Sequence, residues 1–161
     1  MRPVETGVAG PRATGRFTPR EPTKEMVATR EDVPATIGAI DICNIKASRP
    51  EQHAGTGGVN YGRRGHIPRS VNIPAAAHVN ADNAFKNTDG LRALFAQAMQ
   101  KPQVMTCCGS GIAATSVALA LEMLDCKNVK VHEASLTEWA ADVELPMEMQ
   151  TASAGTAQTG Q

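Results

Sequence analysis

Gln103-Val104-Met105-Thr106-Cys107-Cys108-Gly109-Ser110-Gly111-Ile112-Ala113-Ala114 decides how this chain folds. Residues 103–107 are β-prone and read as a short strand. The strand ends at a cysteine, and Gly109 and Gly111 follow, spaced so that the backbone can curl around the atom before them. Residues 112–124 are rich in alanine and leucine and read as a helix. A cysteine at such a strand–loop–helix turn faces backbone N–H groups and the positive end of a helix dipole. Both favour the thiolate, so Cys108 is set up to hold negative charge on sulfur.

Upstream, the pattern alternates strands and helices. Met26-Val27-Ala28-Thr29 predicts a first strand, and Thr29-Arg30-Glu31-Asp32 predicts an N-cap opening a helix to Ile37, ended by Gly38. Residues 39–45 alternate with β-branched residues and predict a strand. Residues 49–54 predict a helical turn with Pro50 near its start. Residues 55–65 form a glycine-rich loop, and Ser70-Val71-Asn72-Ile73 predicts a strand closed by Pro74. Asn87-Thr88-Asp89 opens a helix with Leu91, Leu94, Phe95 and Ala98 on one face, stopped by Pro102. Downstream, residues 128–132 predict a strand and residues 137–141 a short helix carrying Trp139. Strands alternating with helices imply an α/β fold with a mainly parallel sheet, whose ligands sit at the carboxyl ends of strands. Cys108 lies at such an end.

Composition narrows the function. The 161 residues suit one domain. Lys+Arg 16 against Asp+Glu 16 gives a formal net charge of zero, which argues against nucleic acid or an anionic membrane as partner. No apolar run approaches the ~20 residues of a membrane span. With one Trp, one Tyr and three Phe, the core must be built from Ala, Val, Ile, Leu and Met. Residues 1–23 are Gly-, Pro-, Arg- and Thr-rich and are expected to be a disordered or linker-like lead-in. They lack the apolar stretch of a secretory signal. Residues 149–161, ending in Ala/Gly/Thr/Gln, are expected to be a disordered tail, which leaves 24–148 as the domain. Four cysteines without a secretory signal suggest a reducing, cytoplasmic setting.

Three motifs in order now carry a family resemblance. The Cys108-Gly109-Ser110-Gly111-Ile112-Ala113 loop resembles the active-site loop of rhodanese-type sulfurtransferases, in the variant found in mercaptopyruvate sulfurtransferases. Arg63-Arg64-Gly65-His66-Ile67-Pro68 and Ser70-Val71-Asn72-Ile73-Pro74 are similar to the family's "GHIPGAxNIP" signature. Ser135-Leu136-Thr137-Glu138-Trp139 and Leu145-Pro146-Met147-Glu148 resemble its closing segment. Phe17-Thr18-Pro19-Arg20 with Met26-Val27-Ala28-Thr29 resembles the linker entering the second, C-terminal catalytic domain of two-domain mercaptopyruvate/thiosulfate sulfurtransferases. The resemblance implies a rhodanese-like three-layer fold, a mainly parallel central sheet flanked by helices. It also implies a cleft that a second rhodanese domain, or another copy of the chain, would wall.

The chemistry implied is sulfurtransferase chemistry in two covalent steps. Cys108 takes a sulfane sulfur from a small anionic donor and holds it as a persulfide; a thiol or cyanide acceptor then removes it. The N–H groups of Gly109, Ser110, Gly111, Ile112 and Ala113 would stabilise charge on the sulfurs. Ser110 would hydrogen-bond the donor. No metal or organic cofactor is required. A phosphatase loop would place an arginine after five residues, but that position is Ala114, and no Arg or Lys occurs from Cys107 to Cys126. The uncharged loop favours 3-mercaptopyruvate, whose carboxylate can be held elsewhere, over doubly charged thiosulfate.

Departures from the family cluster around the cleft. Its Asp-x-Arg after the second strand becomes Lys46-Ala47-Ser48-Arg49, so Arg49 or Arg64 is the candidate anion clamp. Its "YDGSW" becomes His132-Glu133-Ala134-Ser135-Leu136. Ala140 and Arg69 replace glycines. These changes support an alternative, a catalytically weak rhodanese-fold module that binds partners or senses redox state through Cys108. Plain readings compete elsewhere. Free cysteine is often core, and Cys43, Cys126 and Cys107 read so, with Cys107 pointing away from Cys108 by strand alternation. His66 reads as a structural turn residue, Trp139 as a core anchor and Glu138 as a solvated or locally bonded acid. Arg63 and Arg64 read equally as solvated loop or anion holders.

Overall fold

The computed structural model describes residues 7, 10, 14–19 and 24–150. Most of the expected N-terminal lead-in, and the tail from residue 151, lie outside the described residues. Five strands form one sheet, all pairs parallel. They are β1 (Val27–Ala28), β2 (Ile42–Lys46), β3 (Val71–Asn72), β4 (Gln103–Cys107) and β5 (Val129–His132). The helices are α1 (Pro50–Ala54), α2 (Thr88–Phe95), α3 (Ile112–Glu122) and α4 (Ser135–Trp139). Strand order is β1-β5-β4-β2-β3. From β2 the chain steps outward to β3, returns to β4 in the middle, then moves to β5 on the other side. That reversal opens a crevice at the carboxyl ends of β2 and β4, where doubly wound sheets bind ligands.

The sheet separates two apolar clusters, which makes three layers. On one face, Cys43, Ile45 and Ala47 pack with Leu91 and Phe95 of α2 and with Val117 and Leu121 of α3. On the other, Met105 and Cys107 pack with Ile67, Leu136 and a fully buried Trp139. Strand alternation therefore sends neighbouring residues to opposite layers, as expected for Cys107 and Cys108. Trp139 anchors the closing segment, its Nε1 donating to the Pro146 carbonyl at 2.9 Å.

The sequence pattern misjudges three helices. The helix expected over residues 29–37 is instead a run of turns followed by a 3₁₀ turn at Pro34–Thr36. Pro34 has no N–H to continue an α-helical ladder. The Asp32 carboxylate, instead of lying free in a first turn, accepts from the Thr29 N–H at 2.8 Å. α2 is capped as predicted, Asn87 Oδ1 accepting from Gly90 N at 2.9 Å, but it ends at Phe95. Ala98, still buried, sits on a separate 3₁₀ turn at Ala98–Gln100 that lowers the chain toward β4. The last helix begins at Ser135, two residues early, because Ser135 turns its hydroxyl back onto the His132 carbonyl at 2.8 Å.

The glycine-rich stretch is tied down by histidines. His66 exchanges backbone hydrogen bonds with Glu148 (2.9 Å each way) and its Nδ1 meets the His53 carbonyl at 2.6 Å. The two imidazoles stack 3.6 Å apart. His66 is thus a structural tie. Gln150 N donates to the Ala54 carbonyl at 3.2 Å, so the chain remains attached just past Glu148.

Burial holds the imidazoles of His53, His78 and His132 below their ordinary pKa. The unfolded chain, with histidines near ~6.5, then binds more protons than the fold in mildly acid solution. Their stabilising contribution is present above pH ~6.5 and is lost as pH falls through the depressed folded values. Urea unfolding should show a lower midpoint at pH 5.5 than at pH 7.5; equal midpoints would mean these rings titrate normally.

Candidate active site

Cys108 follows β4 directly, and Gly111 begins the turn into α3. Gly111 has φ 87°, a conformation that suits glycine, and a Cβ there would collide with the Glu133 carbonyl oxygen. Its N–H points inward and donates to Cys108 Sγ at 3.1 Å. The first-turn N–H groups of α3 have no intrahelical partners and carry the positive end of the helix dipole. Gly109 is packed so tightly under Tyr61 that a Cβ would run into its ring.

The loop is held by side chains from elsewhere. Cys108 N donates to Ser135 Oγ at 2.9 Å. The Cys108 carbonyl accepts from Lys46 Nζ at 2.6 Å. Both the N–H and the hydroxyl of Thr137 donate to the Gly109 carbonyl, each at 2.9 Å. Ser135 itself sits at φ 51°, a strained position for a serine, which places its hydroxyl between His132 and Cys108. The sequence places Ser135 and Thr137 in the closing segment but gives neither a role at the loop. They lie about 27 residues downstream, and only the pairing of β4 with β5 brings them to the loop.

Lys46 was legible only as a departure from the family pattern. It ends β2, pairs in register with Cys107, and is 1% exposed. Burial pulls its ammonium below the ordinary lysine value, while the nearby Cys107 and Cys108 oppose that shift. Cys107 is wholly buried, and its thiol is pushed up to about 11 by burial, with Lys46 pulling the other way. Cys107 is therefore kept neutral in the apolar layer.

Cys108 opens on a cleft of about 420 Å³, walled by Ala47, Ser48, Arg49, Tyr61, Ala75, Gly109, Ser110, Ile112 and Ala113, while Gly111 is buried behind the sulfur and does not line it. The structure brings together Cys108, Gly109, Ser110, Ile112, Ala113 and Arg49 around it. Ser110 is exposed at its mouth, and Ile112 is 80% exposed on its rim. Arg49 is mostly exposed, its guanidinium 4.0 Å from Glu51 Oε1. Arg64 is exposed and lines a separate small hollow under residues 57–65, beyond Tyr61. Arg63 is structural: its Nε donates to the Ala140 carbonyl at 3.1 Å and its Nη2 to the Trp139 carbonyl at 3.3 Å, capping α4. Glu138 lies 3.6 Å from His132 Nε2.

Comparison with known proteins agrees with this fold. A family model described as a rhodanese-like domain matches residues 39–142. The chain is 35% identical over 129 residues to the 3-mercaptopyruvate sulfurtransferase of Escherichia coli (strain K12), covering 78% of this chain and 43% of that protein. It is 35% identical over 89 residues to thiosulfate/3-mercaptopyruvate sulfurtransferase 1, mitochondrial, of Arabidopsis thaliana, covering 53% of this chain and 23% of that protein. The chain thus spans less than half the length of these relatives. Among solved structures, the Tum1 protein from Saccharomyces cerevisiae superposes with a TM-score of 0.68 at 18% identity, over 80% of this chain and 48% of that one. An anaerobic ergothioneine biosynthesis enzyme from Chlorobium limicola gives 0.72 at 17% identity, over 80% and 33%. Both share the fold.

Ser135→Ala leaves the buried Cys108 N–H without its acceptor, at a cost of about 1–3 kcal/mol. Urea unfolding should show that loss, and alkylation of Cys108 should change rate as its loop loosens; an unchanged midpoint would mean the loop holds itself.

Proposed function

Because this chain belongs to the rhodanese-like domain family, we propose that it is a sulfurtransferase whose Cys108 carries sulfur as a persulfide. The observation that carries this reading is the Gly111 N–H aimed at Cys108 Sγ, at the carboxyl edge of a parallel sheet and the mouth of a cleft. The Cys108 thiolate attacks the transferable sulfur of the donor, the thiol sulfur of 3-mercaptopyruvate or the outer, sulfane sulfur of thiosulfate. With 3-mercaptopyruvate, the favoured donor, the C–S bond breaks and the leaving enolate takes a proton to become pyruvate. With thiosulfate, the S–S bond breaks and sulfite leaves. A thiol or cyanide then attacks the outer sulfur of the persulfide, and the Cys108 thiolate is restored. Loop N–H groups stabilise negative charge on sulfur at each stage.

Residues 24–148 are the domain that carries this chemistry. A second rhodanese domain or a second copy of the chain covers the cleft, whose rim leaves Ile112 exposed. A reducing, cytoplasmic setting fits the four free thiols Cys43, Cys107, Cys108 and Cys126. No helix among the described residues is long and apolar enough to cross a membrane. One observation favours the alternative of a weak catalyst acting as a binding or redox-sensing module. Arg49, which lines the cleft, is mostly exposed, and its 4.0 Å pairing with Glu51 does not hold it in place to grip a donor.

Sulfur transfer to cyanide, read as thiocyanate with 3-mercaptopyruvate or thiosulfate as donor, should vanish in Cys108→Ser. The native chain should gain the mass of one sulfur on Cys108 when donor is added without acceptor. A folded chain with a titratable Cys108 that gains no sulfur from either donor would overturn the enzyme reading.

A further inference from the structure

Ser116 stands on α3, one turn beyond Ile112, and lines the same cleft as Cys108 and Ala113. Behind it lies His78, 1% exposed and stacked on Phe85 with ring centroids 5.1 Å apart. His78 Nε2 is 2.7 Å from Ser116 Oγ. The other ring nitrogen, Nδ1, is buried with no hydrogen-bond partner among the described residues. Burial keeps the ring neutral by pulling its pKa down.

A neutral imidazole has one N–H, and two placements fit the contact. If Ser116 donated to Nε2, the ring proton would sit on Nδ1, a buried donor with nothing to receive it. If Nε2–H donates to Ser116 Oγ, Nδ1 keeps only a lone pair. Orphaned N–H groups are the rarer and costlier of the two, so the second placement prevails. The hydroxyl proton of Ser116 is then left over. Thr115 uses its own hydroxyl on the Ile112 carbonyl at 2.7 Å, whereas Ser116 makes no such bond among the described residues. Its proton is therefore available to the cleft.

We propose that Ser116, oriented by His78, is a hydrogen-bond donor that binds the carboxylate of a short 2-oxo acid in the cleft and so selects an organic sulfur donor. The proposal rests on the sulfurtransferase reading for its substrate class. The cleft that Ser116 lines has small apolar residues, Ala47, Pro74, Ala75 and Ala113, together with Arg49 and Gln52 on its wall. A neutral hydroxyl with its oxygen already polarised by a ring N–H suits one carboxylate better than a compact dianion. Ser116 binds the donor; His78 is a positioning residue acting through it.

Pyruvate is the probe, because its binding is read without any turnover. Alkylation of Cys108 by iodoacetamide, followed at the Cys108 peptide by mass spectrometry, should slow as pyruvate is added to the native chain. Ser116→Ala should raise the half-protecting concentration about tenfold, a loss of ~1.4 kcal/mol. His78→Leu should do the same, and His78→Gln, which restores a side-chain N–H, should recover much of the protection. With 3-mercaptopyruvate, Ser116→Ala should raise KM about tenfold with kcat nearly unchanged. Equal protection of the native chain and Ser116→Ala, or no protection of the native chain, would overturn the proposal. Protection lost in Ser116→Ala with no sulfur transfer from any donor would instead overturn the sulfurtransferase reading and leave the 2-oxo acid site standing.

Discussion

The Cys108 peptide is gripped at both ends by side chains from neighbouring strand ends. Ser135 takes its N–H and Lys46 takes its carbonyl. The turn needs this grip because its Gly111 amide is committed to sulfur. An N–H that points at Cys108 Sγ cannot also close a hydrogen bond within the loop. The loop is therefore rigid only as far as β2, β5 and α4 make it so. Gly109 beneath Tyr61 and Gly111 against Glu133 complete the confinement, leaving the sulfur one open side, toward the cleft.

Lys46 links this loop to the strand register. It pairs with Cys107 across β2 and β4, so its side chain rises on the layer that holds Cys107 while its ammonium reaches the Cys108 carbonyl. Burying a charge is costly unless it is paired and hydrogen-bonded. The bond to a carbonyl polarised by the loop offsets part of that cost. Two adjacent cysteines thereby acquire different surroundings: Cys107 is sealed in an apolar layer with its proton retained, and Cys108, only 4% exposed, accepts the Gly111 N–H on the wall of the cleft.

The rim of the cleft is fastened in the same way, by polar groups satisfied across long stretches of chain. Arg63 occupies the carbonyls at the end of α4, and the stacked His53 and His66 join α1 to the segment ending at Glu148. These contacts hold residues 55–65 over Lys46 and Leu136, and they set Tyr61 of this glycine-rich loop on the wall of the cleft.

The sequence by itself determined the alternation of strands and helices, the cysteine at the end of β4, the glycines that bend the loop and the core role of Trp139. Each of these follows from short-range rules: periodicity, φ preference and helix capping. It also excluded a phosphate-gripping arginine, since that residue would have to lie within the loop itself. It misjudged the segment at residues 29–37, where Pro34 overrides a favourable start, and the end of α2, where the turn into β4 is set by packing. Only the tertiary structure decided that Ser135, Thr137 and Lys46 hold the loop, that Arg63 is structural, and that Arg49 shares the cleft with Cys108 while Arg64 does not. Those outcomes depend on which strand ends meet, and parallel strands bring together residues far apart in the chain whose partners no local pattern encodes.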